Sequence, residues 1–135
     1  SLLWLVSSAI GAQPFHPDML VGNWVASGRF YNQAFQHEFG SVDFDLQIDK
    51  DWTLRGHVGS SSITPVKPTL EGQAIVYAVT LQGAIRPGSY FAKDRLVLLL
   101  TSAEGGKISG DFHLKSNFIF DWSMRPGEFV ATRKP

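Results

Sequence analysis

Between residues 42 and 49 the chain reads Val-Asp-Phe-Asp-Leu-Gln-Ile-Asp, four apolar side chains alternating with four polar ones. Successive side chains of a strand point to opposite faces, so this run predicts a half-buried antiparallel strand. The habit recurs along the chain. Trp24 to Tyr31 predicts a first strand, and a long second one runs from about His37 to Asp49. Asp49-Lys50-Asp51 turns the chain, and Trp52 to Val58 returns. A short strand from Ile63 to Lys67 is demoted to an edge by Pro65. Gln73 to Leu81 and Leu96 to Leu100 are apolar on both faces, with a connection over residues 82–93 bearing glycine and proline. Lys107 to Leu114 and Phe118 to Met124 alternate again. Arg125-Pro126-Gly127-Glu128 fits a type II turn before a final strand, Glu128 to Arg133.

No useful helical period occurs after residue 20. The expected fold class is therefore all-β, a single antiparallel up-and-down meander of 8–9 strands. Such a sheet disposes of its edges by closing into a barrel. The expected inward set includes Trp24, Val42, Phe44, Leu46, Ile48, Leu98, Phe112, Phe118, Phe120 and Trp122. Asp43 and Asp45 face water. Gly28, Gly56 and Gly110, inside strand patterns, mark bulges or the bends a small barrel needs.

Composition narrows the class. At 135 residues the chain suits one domain with its own core. The 44% hydrophobic and 18% charged content excludes a disordered or highly charged protein. Twelve basic and twelve acidic residues balance, and no basic run is present. Nothing here favours nucleic acid as a partner. There is no cysteine, which removes disulfides, thiolate metal sites and cysteine nucleophiles, and leans an exported chain towards a bacterial source. Residues 1–12 form an apolar run ending in small residues, similar to the core and cleavage site of a secretory signal peptide. Cleavage after Ala12 would leave Gln13 first, with residues 13–135 as the barrel domain in a secreted or periplasmic location. The run is too short to span a bilayer, so no transmembrane segment is expected.

Gly22-Asn23-Trp24, at the start of the first strand of such a meander, resembles the Gly-x-Trp opening of lipocalins and their calycin relatives. The resemblance implies a lipocalin-like β-barrel whose narrow end is closed by Trp24. It also implies a basic residue of the last strand packed across the indole: Arg133, with Arg125 as second candidate. A guanidinium over an indole face gains about 0.5–2 kcal/mol. The family's usual role is to bind a small hydrophobic molecule inside the barrel. Only about six residues separate Tyr31 from the next strand pattern, which leaves no room for the pair of helices inserted there in the fatty-acid-binding branch.

Candidate chemistry is sparse. Phe118, Phe120, Trp122 and Met124 lie on one face of a strand, with Phe112 and Leu114 beside them, and read as a cavity wall or as plain core. His37, Glu38, Asp43, Asp45 and Asp49 lack metal-ligand spacing. Asp111 and His113 share a face with Lys107 and Lys115, opposite Phe112 and Leu114, and so belong outside. A haem ligand would need a histidine aimed into an apolar pocket, and only the facing of His57 is undetermined. No nucleophile elbow, phosphate loop or dinucleotide fingerprint occurs. The expectation is a non-enzymatic exported barrel without metal or cofactor. It would bind a small hydrophobic or amphipathic ligand through Phe44, Leu46, Phe112, Phe118, Phe120 and Trp122, with Gly22, Trp24 and Arg133 forming the structural barrel end. The alternatives are a filled barrel acting as a structural or protein-interaction module, and a calycin-type isomerase or cyclase with titratable groups inside.

Overall fold

The computed structural model describes residues 17–83, 85, 95–115 and 125–135. After a single helical turn, α1 (Pro17–Leu20), come β1 (Gly22–Phe30), helix α2 (Gln33–Phe39) and β2 (Val42–Ile48). Then follow β3 (Leu54–Val58), β4 (Ser61–Ile63), β5 (Thr69–Glu71), β6 (Ala74–Gln82), β7 (Arg95–Glu104), β8 (Lys107–Lys115) and β9 (Arg125–Arg133). All pairings are antiparallel, in the order β4-β3-β2-β1-β9-β8-β7-β6-β5, and β4 also pairs β6. That last pairing closes eight strands into a barrel, with β5 as an extra strand paired to the start of β6, along the same edge that β4 meets near its end. The seam is short: Ser62 opposes Gln82 and Ile63 opposes Leu81. The Gln82 side-chain amide donates to the Thr64 hydroxyl at 3.0 Å and the Thr64 backbone N–H to the Thr80 carbonyl at 3.0 Å, extending it by side chain and backbone. Among the described residues no helix is long and apolar enough to cross a membrane.

The alternation in β2 survives intact: Val42, Phe44, Leu46 and Ile48 are buried while Asp43, Asp45 and Gln47 are exposed. Trp24, Leu98 and Phe112 join the same interior. Phe118, Phe120 and Trp122 lie outside the described residues. Outward carboxylates meet cations across the surface, Asp49 with Arg55 at 2.8 Å and Asp45 with Lys134 at 2.9 Å. Such exposed pairs are worth at most about 1 kcal/mol each.

Three expectations need correction. The long second strand from His37 does not form; its first part is α2. Asn32 caps that helix by accepting from the Phe35 backbone N–H at 2.9 Å, and Gly40 ends it at φ 73°. No residue from Gln33 to Phe39 is β-branched, so nothing opposes the helix once it is capped. The return strand begins at Leu54 rather than Trp52, because Trp52 sits in the left-handed region at φ 68° inside the turn. There its carbonyl accepts the buried Tyr77 hydroxyl at 2.7 Å. Finally, Pro126 and Gly127 are not a turn but the start of β9, paired with His113 and Phe112 of β8. Proline is tolerated at the beginning of a strand, and its carbonyl still accepts from the Tyr31 N–H at 3.1 Å.

Large and small residues alternate across the interior. Gly127 lies between Phe30 and Phe112 in one row of the sheet, and Gly28 lies between Val42 and Phe129 in the next. A Cβ at Gly127 would sit 2.5 Å from the Phe112 ring, and one at Gly28 would sit 2.6 Å from both Phe112 and Phe44. The missing side chains are the space the rings occupy.

Candidate functional site

One end of the barrel is shut by its own N-terminal turn. Leu20 is fully buried beneath Trp24, whose Nε1–H donates to the Leu20 carbonyl at 2.8 Å. Trp24 and Arg133 are directly opposed between β1 and β9, so their side chains share a face. The Arg133 guanidinium lies 4.4 Å from the indole centroid. It also donates to the Val21 carbonyl at 2.6 Å and the Met19 carbonyl at 3.0 Å, satisfying carbonyls released where α1 ends. Gly22, at φ 139°, makes room: a Cβ there would come 2.5 Å from Arg133 Nη1. These residues form a latch.

Inside, the rings form a continuous stack from the other end inward. Phe39 meets Phe35 at 5.1 Å between centroids, Phe35 meets Phe30 at 5.7 Å, and Phe30 meets Phe112 at 5.5 Å. Phe112 then meets Phe44 at 5.5 Å, and Phe44 meets Phe129 at 5.9 Å. The tilted and edge-on orientations are those aromatic quadrupoles favour. Beyond Phe129, towards Trp24, lies a void of only about 10 Å³ lined by Leu46, Tyr77, Leu98 and their neighbours. That is room for one water at most. At this depth Phe44 and Phe112 pack against neighbouring rings, and Leu46 lines the small void. Phe118, Phe120 and Trp122, which the sequence reading grouped with them, fall outside the described residues.

The opposite end is different. Helix α2 buries no residue fully, yet Phe35 and Phe39 are partly buried and pack against the core. The helix is tied down by its side chains: Gln36 Oε1 accepts from the Phe30 N–H at 2.9 Å, and Gln36 Nε2 donates to the Ser41 hydroxyl at 3.0 Å. It therefore sits as a short lid over the Phe30 end. Sequence reasoning missed Phe30, Phe35, Phe39 and Phe129 as contributors; Asn32 followed by two phenylalanines four apart was the available signal.

Acidic side chains, basic side chains and histidines stay out of the described interior. His57 and His37 are exposed, and His113 lies on the outer face of β8. Tyr77 is held neutral by burial, which raises its ionisation above the usual phenol value, and its hydroxyl serves as a donor to Trp52. No group of three or more metal-ligating side chains forms among the described residues. The chain matches no protein-family model, no curated protein and no solved structure.

Proposed function

We propose that this barrel is a non-enzymatic, lipocalin-like carrier that holds a small apolar or amphipathic molecule at its α2 end. The observation that carries the reading is the placement of Phe35 and Phe39, each partly buried on a short helix, with Phe35 packed on Phe30 and Phe39 on Phe35. Partly exposed rings over a rigid apolar floor supply affinity, and the polar side chains around them supply orientation. Relationship to the calycins is part of the proposal, supported by the Gly22, Trp24 and Arg133 latch. So is export, supported by the apolar run in residues 1–12; a mature chain that retains residues 1–12 when made in a secreting host would argue against it.

Titration of the purified protein with laurate or an anilinonaphthalene sulfonate dye tests the reading. Saturable binding that is lost in the double variant Phe35→Ser, Phe39→Ser, with the unfolding midpoint little moved, is the expected result. Binding insensitive to both substitutions would place the ligand elsewhere.

The filled-barrel interaction module has a specific observation in its favour, the void of only about 10 Å³ in the described interior. Absence of any saturable response to both probes would favour it. An isomerase or cyclase draws no support from an interior whose described lining holds no acid–base pair.

A further inference from the structure

The outer face of β1, β9, β8 and β7 carries an open depression of about 430 Å³, within the range of small-molecule pockets (~300–1,000 Å³). It arises from backbone irregularity. A bulge in β7 between Leu100 and Ser102 leaves Thr101 and Ser102 both outward. Alongside, the two strands approach so closely that a Cβ at Gly110 would fall 1.8 Å from the Leu99 carbonyl oxygen. Bulges bend and twist a strand, and here the sheet surface dips. Register then sets Arg29, Glu128 and Asp111 in one outward row on three adjacent strands, with Ser27, Val130 and Ser109 in the next.

Two features of the row call for a reason. Glu128 and Asp111 oppose each other directly, and like charges so placed destabilise an antiparallel pair. Arg29 directly faces Glu128, where an ion pair would be natural, yet neither forms one among the described residues. Asp111 is held in place by the Tyr31 hydroxyl, which donates to its carboxylate. That hydrogen bond, with burial and the nearby charges of Asp111 and Glu128, raises Tyr31 to about 12, so the phenol remains the donor at neutral pH.

We propose that the depression binds a small zwitterion, its ammonium group between Asp111 and Glu128 and its carboxylate on Arg29. The ligand's cation relieves the repulsion of the two acids, and its anion satisfies the guanidinium. Neighbouring strands are about 4.8 Å apart, so the midpoint of the acids lies roughly 7 Å from the Arg29 strand. That spacing suits an amino acid with separated charges, an ω-amino acid, better than an α-amino acid.

The test follows backbone amide shifts of the full chain by heteronuclear NMR during titration with ε-aminocaproate, glycine, n-pentylamine and caproate. Expected are saturable shifts from ε-aminocaproate centred on Ser27, Arg29, Ser109, Asp111 and Glu128, with each other probe weaker by about tenfold or more. Arg29→Gln and Glu128→Gln should each weaken ε-aminocaproate by a similar factor. Glu128→Gln should leave the free protein at least as stable as the parent, because it removes a like-charge opposition, so its loss of binding cannot reflect unfolding. Absence of saturable shifts in this region overturns the proposal. So does n-pentylamine binding as tightly as ε-aminocaproate, or ε-aminocaproate binding unchanged in Arg29→Gln.

Discussion

Gly28→Ala probes the packing logic of the barrel with a single carbon. Gly28 has ordinary strand φ, so alanine meets no backbone penalty there. On that count alone the substitution should stabilise by about 0.4–1 kcal/mol, through a less mobile unfolded chain. The rings decide otherwise. The new Cβ would stand 2.6 Å from Phe112 Cε1 and 2.6 Å from Phe44 Cε2, whereas carbon atoms rest at about 3.5–4.0 Å. Both rings are buried and wedged, Phe112 also against Gly127 and Phe30, so neither can swing clear. Overpacking of this kind costs about 1–3 kcal/mol. The net expectation is destabilisation of about 1–2 kcal/mol, read as a lower urea midpoint at unchanged slope. A double-mutant cycle identifies the cause. In a Phe112→Leu background much of the clash is gone, so Gly28→Ala should become neutral or mildly stabilising, giving a coupling of about 1 kcal/mol or more. A neutral Gly28→Ala in the parent chain, or an equal cost in both backgrounds, would refute the argument that glycine here is the seat of the ring.

Trp24→Ala should lower stability by about 3–5 kcal/mol in urea unfolding, since it removes a buried indole, its hydrogen bond to the Leu20 carbonyl and the ring beneath the Arg133 guanidinium. Arg133→Lys should cost more than a surface charge change, because an ammonium cannot both cover the indole and bridge the Val21 and Met19 carbonyls; thermal melts against Lys134→Arg make the comparison. Tyr31 should ionise at about 12 in a spectrophotometric titration, and Asp111→Asn should return it towards 10.0. Its raised value means that the associated stability is complete below the ordinary phenol pKa and is lost as pH climbs through the folded one. Asp49 behaves in the opposite sense. Hydrogen bonds from Arg55 and Gln47 hold its carboxyl below 3.8, so its contribution is present above that value and fades as pH falls through the lower folded pKa. Asp49→Asn should flatten the acid limb of a midpoint-against-pH curve.

The faces of the strands were legible in the sequence because facing is local: period two assigns Val42, Phe44, Leu46 and Ile48 to one side without reference to any other strand. The same rule placed Phe112 inside and Asp111 outside. Helix α2 was not legible by that rule. Phe35 and Phe39 are four apart, a spacing that is a multiple of two and also close to one helical turn, so seven residues satisfy both periods. Packing over Phe30, with Asn32 as cap, selects the helix. Pro126-Gly127 misled for a related reason: its chemistry suits a turn, but the glycine is a seat between Phe30 and Phe112, residues supplied by strands distant in sequence. The Trp24 and Arg133 pair could be suspected from a motif, yet their meeting depends on β9 returning beside β1 in one register. The outward row of Arg29, Glu128 and Asp111 left no local trace, since each residue is an ordinary surface charge on its own strand. Only closure of the sheet and its register set them side by side, because which strands pair is decided by burying the whole interior at once, and no single segment carries that information.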